Sequence, residues 1–482
     1  MAIDLTEPLC WESATGDVET MLEELQANIV KAHVRDHLSV LFLHFGERGE
    51  AKSFLGELTD LMKSAKTHLE EVRDYKASRD SGEHTPGTPY VGVGLSATGY
   101  AQLGIDANRP PDPAFRRGMT ASATRSKLQD PTLSLREPAY RGDPEIHAVV
   151  MIGDESEYAT AMRRNDVLGL LPDSVTVLAE ETGLSHVNEN GDGIEHFGYV
   201  DGRSQPLFLT EDINKQRRKT DGTNVWDPAC PLGQVIVSDP AAPNPSEHFG
   251  SYFVFRKLEQ NVQRFKLEED ALAKKLGLED EEAERAGALL VGRFEDGTPL
   301  TLQADAGAHS PVLNNFTYDS DEIGAKCPFH AHIRKMNPRG SGRLETEETE
   351  RTHLMARRGQ TYGTRADDPN ADLPPSKRPT GGVGLLFMAF NFDIEQQFEF
   401  IQADCANNPG FPGVPHGTPE PGVDGVMGNG PRGPINSPLE WGGSDTRATR
   451  NIAPVVTLKG GEYFFMPSLA FLRSLSANRW PE

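Results

Sequence analysis

The feature that most restricts the fold is a pattern met four times: a short apolar run passing directly into a segment with helical spacing. "SVLFLHF" (Ser39 to Phe45) leads into a stretch where Ala51, Phe54, Leu55, Leu58, Leu61 and Met62 recur at helical intervals. "HAVVMIG" leads into "DESEYATAMRRNDVL", where Asp154 and Glu157 have the spacing of an N-cap and its capping-box partner. In the second half "SYFVFRKLEQNVQRF" and "GLLFMAFNFDIEQQFEFIQ" repeat the pattern, with Asp393 and Gln396 again at capping-box spacing. Further strand candidates lie between, in "PYVGVGLSATGY" and "LKGGEYFFMP". Two units per half predict a duplicated βαββαβ plan, an α+β fold, in preference to a doubly wound parallel sheet.

A chain of 482 residues exceeds the size at which one hydrophobic core stops growing, so two domains are expected. The polar, turn-rich stretch from about Asn214 to Ser246 supplies the boundary, giving domains 1–225 and 226–482. Two irregular segments, 363–382 and the Pro/Gly-rich run 407–435, interrupt the second half, and long loops inside a compact domain are often functional.

A formal net charge of −24 repels phosphate backbones and anionic membranes, which argues against nucleic-acid and membrane partners. No stretch approaches the ~20 apolar residues of a membrane span. Cys10, Cys230, Cys327 and Cys405 are far apart, without the spacing of a disulfide framework or a thiolate zinc site. With no secretory signal as written, a cytoplasmic location is expected, and homo-oligomer formation is left open.

Three segments carry residues suited to chemistry. "FGYVDGRSQP" places Asp201 beside glycines close to the junction of the halves, either as a turn residue or as an acid–base group at a cleft. "KCPFHAHIRKMNPRG" contains Cys327, His330 and His332; two histidines one residue apart point to opposite faces of an extended segment, so one at most serves a given ion. "HLMARRGQTYG" carries Arg357 and Arg358 before Gly359, which alone reads as a helix C-terminus with arginines facing solvent.

Taken together, "FGYVDGRSQP", "CPFHAHIRKMNPR" and "MARRGQTYG" resemble the dye-decolorizing peroxidases, and the resemblance extends to "VGVGLSATGYAQLG", "GLLFMAFNFDIEQQFEFIQ" and "GGEYFFMPSLAFL". It implies two ferredoxin-like domains with antiparallel sheets, a haem b in the C-terminal half, and one-electron oxidation of dyes, phenols or other small organic reductants by H2O2. By that resemblance His332 is the axial ligand of the haem iron, and Asp424 in "GVDGVMG" is the carboxylate on its other nitrogen, although the family tends to have Pro where this chain has Gly425. Asp201 and Arg357 are the catalytic pair, and Leu385 and Phe387, two apart on one strand, match the wall above the haem. Arg334 and Arg339 are the nearest cations for the haem propionates, and Tyr362 matches a tyrosine that relatives use at the surface. Two rivals are a haem-handling protein of deferrochelatase type and a non-enzymatic metal-binding scaffold built on Cys327, His330 and His332.

Overall fold

The computed structural model describes residues 3–82, 87–219, 225–307, 312–371, 373–449 and 452–476. In the first half the chain forms β1 (His37–Phe45), α1 (Arg48–Leu58), β2 (Tyr90–Leu95), β3 (Ala148–Asp154), α2 (Glu157–Gly169) and β4 (Val175–Leu184). In the second it forms β5 (Phe249–Gln260), α3 (Val262–Leu276), the short β6 (Ala356–Arg357) and β7 (Gln360–Tyr362), β8 (Gly384–Asn391), two π-helical turns (Glu395–Glu399 and Ile401–Ala406) and β9 (Val456–Met466). The first half is βαββαβ, as the sequence pattern predicts; the second follows the same plan with its second strand split into the short β6 and β7 and its second helix wound as π-helical turns.

Both halves have the same strand order. The first runs β2-β3-β1-β4, and the second runs β9-β5-β8 with β6 and β7 on the far edge of β8, every pairing antiparallel. This is the ferredoxin-like arrangement expected. The two sheets then join edge to edge through a single residue pair at each seam, Leu95 with Phe465 and Gly183 with Tyr362. The strands therefore close into one barrel. The expected boundary near residue 225 falls in the long connection between β4 and β5.

Alternation along the strands divides the core in two. Phe42, Met151, Phe253, Phe255, Met388 and Phe464 meet inside the barrel, with Phe42 4.7 Å from Phe255 between ring centres. Leu41, Leu43 and Phe45 face the other way and pack under Phe54, Leu55 and Leu58 of α1. Removing such a side chain from water contributes roughly 1.5–3 kcal/mol, so a one-residue slip of β1 would lose both sets together.

Local details differ from the expected caps. Asp154 is the last residue of β3, paired with His37, so the N-cap of α2 passes to Ser156, whose hydroxyl accepts the N–H of Ala159 at 3.2 Å. Asp154 instead accepts the N–H of Ser156. The helical winding of α1 ends at Leu58, and Leu61 lies in a following 3-10 turn. Asp393 does cap its segment, accepting the N–H of Gln396 at 2.8 Å, but that segment winds as a π-helix. Among the described residues no helix is long and apolar enough to cross a membrane.

Candidate active site

A large cleft with about 1660 Å³ of free space, part of it open to solvent, lies against the outer face of β5 and β8. Loops from both halves complete it. Leu385 and Phe387 line it from β8, the shared direction of residues two apart on a strand. Asp201 enters from the connection after β4, and Arg357 from β6. The haem expected in the C-terminal half would thus be bordered by the first half too.

Arg357 reaches Asp201, with Nη1 3.5 Å from Oδ1. Its Nη2 donates to the carbonyl of Arg203 at 2.7 Å, and its backbone N–H donates to Gln205 Oε1 at 3.1 Å. The segment is strand rather than helix terminus, so consecutive arginines diverge. Arg358 turns inward, buried, and donates to the carbonyls of Asn28 and Ile29. Burial and the neighbouring Arg35 lower its pKa to about 9.

His332 opens the short helix α4 (His332–Met336) and lines the same cleft. Its Nδ1 is 2.9 Å from Asp424 Oδ2, while Asp424 Oδ1 accepts the N–H groups of Val426 and Met427, each at 2.8 Å. Burial alone would raise the pKa of Asp424; the His332 charge and these hydrogen bonds outweigh it and hold the carboxylate below its usual range. The ring keeps its other edge, carrying Nε2, toward the cleft. Asp424 comes from the irregular run 407–435, and Gly425 in place of Pro does not disturb the pairing.

The remaining candidates separate. Arg339 lines the cleft with a left-handed backbone (φ 54) and donates to the carbonyls of Asn314 and Phe316, to Asn314 Oδ1, and to Ser204 Oγ at 2.8 Å. None of these acceptors is a carboxylate, and burial followed by the nearby charge of Arg293 lowers its pKa to about 9. Arg334 does not reach the cleft: it is fully buried, its guanidinium donating to Asp321 Oδ2 at 2.8 Å, to the carbonyls of Cys327 and Asp321, and lying over Phe329 and Tyr318. Both terminal nitrogens are engaged by these internal acceptors and the side chain does not line the cleft, which corrects the expectation that it faces a cofactor.

Tyr362 is likewise not at the surface. It is 7% exposed, packed on Gly384 with the Lys257 ammonium 5.2 Å from its ring centre, and its hydroxyl has no partner. Cys327, His330 and His332 do not converge either: His332 turns to Asp424 and the cleft, while the Cys327 backbone N–H donates to Asp321. Among the described residues no group of three or more His, Cys, Asp or Glu side chains is placed to hold a metal ion. Residues not singled out from sequence also line the cleft, including Arg293 and Glu195. Arg293 is buried, bonded to the carbonyls of Gly297 and Leu313, and nothing in "VGRFEDG" marks it.

No family model matches the chain. Its relatives are nonetheless plain. The chain is 60% identical over 476 residues to the multifunctional dye peroxidase DyP2 of an Amycolatopsis species, covering 98% of this chain and all of that one. The chain belongs to the dye-decolorizing peroxidases. The dye-decolorizing peroxidase AauDyP1 of Auricularia auricula-judae is 30% identical over 430 residues, 84% of this chain and 80% of its own. Among solved structures, that of the Amycolatopsis DyP2 superposes with a TM-score of 0.94 at 59% identity, covering 98% of this chain and 100% of that one. An Anabaena peroxidase of the same type gives 0.89 at 37%, covering 98% and 99%. As a dye-decolorizing peroxidase, this protein is an oxidoreductase acting on peroxide, in a family that is haem-dependent in general.

Proposed function

We propose that the cleft holds haem b, with His332 as the axial ligand and Asp201 with Arg357 as the groups that handle peroxide. The observation that carries this reading is the pairing of residues in one cleft: a histidine whose Nδ1 is fixed by a buried carboxylate, and a carboxylate in contact with a guanidinium. The donor set suits the group. An imidazole with Nδ1 engaged by Asp424 offers Nε2 as its lone-pair donor, and the carboxylate raises its donor strength. Arg339 and Arg293, buried cations whose protein acceptors are neutral oxygens, suit the two propionates.

A bound haem would supply the redox chemistry, the two-electron reduction of H2O2 balanced by two one-electron oxidations of an organic reductant. Asp201 takes the proton from the near oxygen of peroxide and returns it to the far oxygen. Arg357 stabilises the negative charge that develops as the O–O bond lengthens, and it keeps the carboxylate oriented. Leu385 and Phe387 keep that side of the cleft apolar and limit water. The acidic chain charge favours cationic or neutral reductants over polysulfonated ones. The widely separated cysteines, three of them buried, support a cytoplasmic location.

The test is the visible spectrum of the haemin-reconstituted protein with His332→Ala beside it. A Soret band in the wild type that responds to one equivalent of H2O2, and is lost or strongly shifted in the variant, is expected. Colourless wild-type protein would overturn the proposal, and release of free porphyrin without peroxide would favour the haem-handling alternative.

A further inference from the structure

We propose that Glu195 is the positioning residue for Asp201, its carboxylate clamping the loop that presents Asp201 to Arg357. This rests on the role given to Asp201 above. Glu195 stands on the same loop, six residues earlier, and lines the same cleft.

The loop is wound around this one carboxylate. Oε2 accepts the backbone N–H of Phe197 at 2.8 Å and the side-chain amide of Gln260, and Oε1 accepts the N–H of Tyr199 at 3.0 Å. The backbone closes the same turn: Glu195 N–H donates to the Tyr199 carbonyl and Gly198 N–H to the Glu195 carbonyl, each at 3.0 Å. Gly198 takes a φ of 105, open to glycine and rarely to other residues. Since Gln260 ends β5, the clamp fastens the loop to a barrel strand. Asp201 then leaves the turn with its own N–H on the Gly193 carbonyl.

The chemistry of the clamp requires a carboxylate. All three partners donate, and an ionised carboxylate is acceptor-only, with sites for all of them. A carboxylic acid or an amide in its place sets a hydrogen against donors that are already pointing inward. Burial pushes Glu195 up to about 7, the hydrogen bonds from Phe197, Gln260 and Tyr199 act against it, and the charge of Asp201 adds to the rise. Around it, Lys266 and Glu269 of α3 balance one another, Glu269 receiving the Tyr199 hydroxyl, and Glu295 beside Gly198 is paired with Lys266. On its own loop His196 is turned away to the Tyr362 carbonyl, and on β5 Arg256 is engaged by Asp130.

Hydrogen–deuterium exchange across residues 193–203 reads the clamp directly, and the second-order rate with H2O2 reads its effect on Asp201. In Glu195→Gln, exchange at Phe197 and Tyr199 is expected to rise about tenfold and kcat/KM for H2O2 to fall about tenfold, with KM for the reductant unchanged, the scale of a small misplacement of a reacting group. In the wild type, protection corrected for intrinsic rate is expected to fall as pH is lowered through about 7, and this dependence should vanish in Glu195→Gln. Unchanged protection in the variant overturns the clamp, and lost protection with unchanged kcat/KM overturns its link to Asp201. If Glu195→Gln does not fold, Gln260→Leu carries the test with smaller changes in the same directions, and unchanged values there overturn the proposal. Wild-type peroxide kinetics in Asp201→Asn would instead sink the Asp201 assignment, leaving the exchange result standing.

Discussion

Arg357 stands 3.5 Å from Asp201 while its second terminal nitrogen holds the Arg203 carbonyl at 2.7 Å, so one guanidinium both faces the carboxylate and fastens the loop that carries it. A lysine has no second arm for this task. Arg357→Leu and Asp201→Asn are each expected to lower the second-order rate with H2O2 by about 10²–10⁴, and Arg357→Lys to fall between them and the wild type. Stopped-flow mixing with peroxide measures all three, and a wild-type rate in the lysine variant would contradict the two-armed role.

Asp424 carries a buried charge held by His332 and two backbone N–H groups. Asp424→Ala is expected to weaken haem retention by about 10–100-fold, the usual effect of removing a carboxylate behind a ligating imidazole. Competition for haemin against apomyoglobin measures it. Retention equal to wild type would detach Asp424 from the ligand role.

Arg334 and Arg339 lie five residues apart and should behave differently. Arg334→Met leaves Asp321 buried without its cation, with an expected loss of about 3–5 kcal/mol in unfolding free energy and an unchanged Soret position. Arg339→Leu should instead lower haem retention. Chemical denaturation together with absorption spectra separates the two, and a Soret shift in Arg334→Met would speak against its assignment as a structural ion pair.

Tyr362 has a buried hydroxyl with no partner, so Tyr362→Phe removes a group that burial penalises. Stability should be equal or slightly higher, and oxidation of a bulky dye should stay within about twofold of wild type. A large fall in dye turnover, with small phenols unaffected, would restore an electron-transfer role.

His33 is buried beside Lys63 and Arg35, and burial first, then those charges, lowers its pKa to about 3. The unfolded chain takes a proton near pH 6.5 that the folded chain refuses, so this contribution to stability is complete above about 6.5 and is lost as pH falls toward 3. The unfolding free energy of wild type minus that of His33→Gln should therefore drop by about 1.4 kcal/mol per pH unit across that window. A flat difference would place the imidazole in contact with solvent.

The barrel was legible because its signal is local and repeated: apolar runs such as "SVLFLHF" bury both faces, and the helices after them carry their own spacing. Strands β4, β6 and β7 were not. Val175–Leu184 carries polar residues such as Glu180 and Glu181, whose partners, Arg164 on α2 and Lys257 on β5, are brought to them only by the fold. Arg357 read as a solvent-facing helix end because two consecutive arginines look like a polar terminus until a sheet sends them to opposite faces. Asp201, His332, Arg339, Leu385 and Phe387 sit in long motifs in register and line the one cleft directly, whereas Asp424, in the partial match "GVDGVMG", is buried behind His332. Arg334 sits in the same motif and is turned away, since a motif fixes sequence position and not side-chain direction. Glu195 escaped notice because a glutamate ahead of a glycine-rich turn is ordinary until its three donors are visible.

Each seam of the barrel is held by one residue pair, which sets the edge strands β2 and β4 of the first half beside β9 and β7 of the second. Either half synthesised alone would lose the neighbouring strand at both of these edges, and exposed strand edges are where chains stick to one another. Mutual concealment thus binds the fate of the two halves together: the ribosome must deliver the second before the first is safe from self-association, and separated fragments should become soluble only when they are expressed side by side.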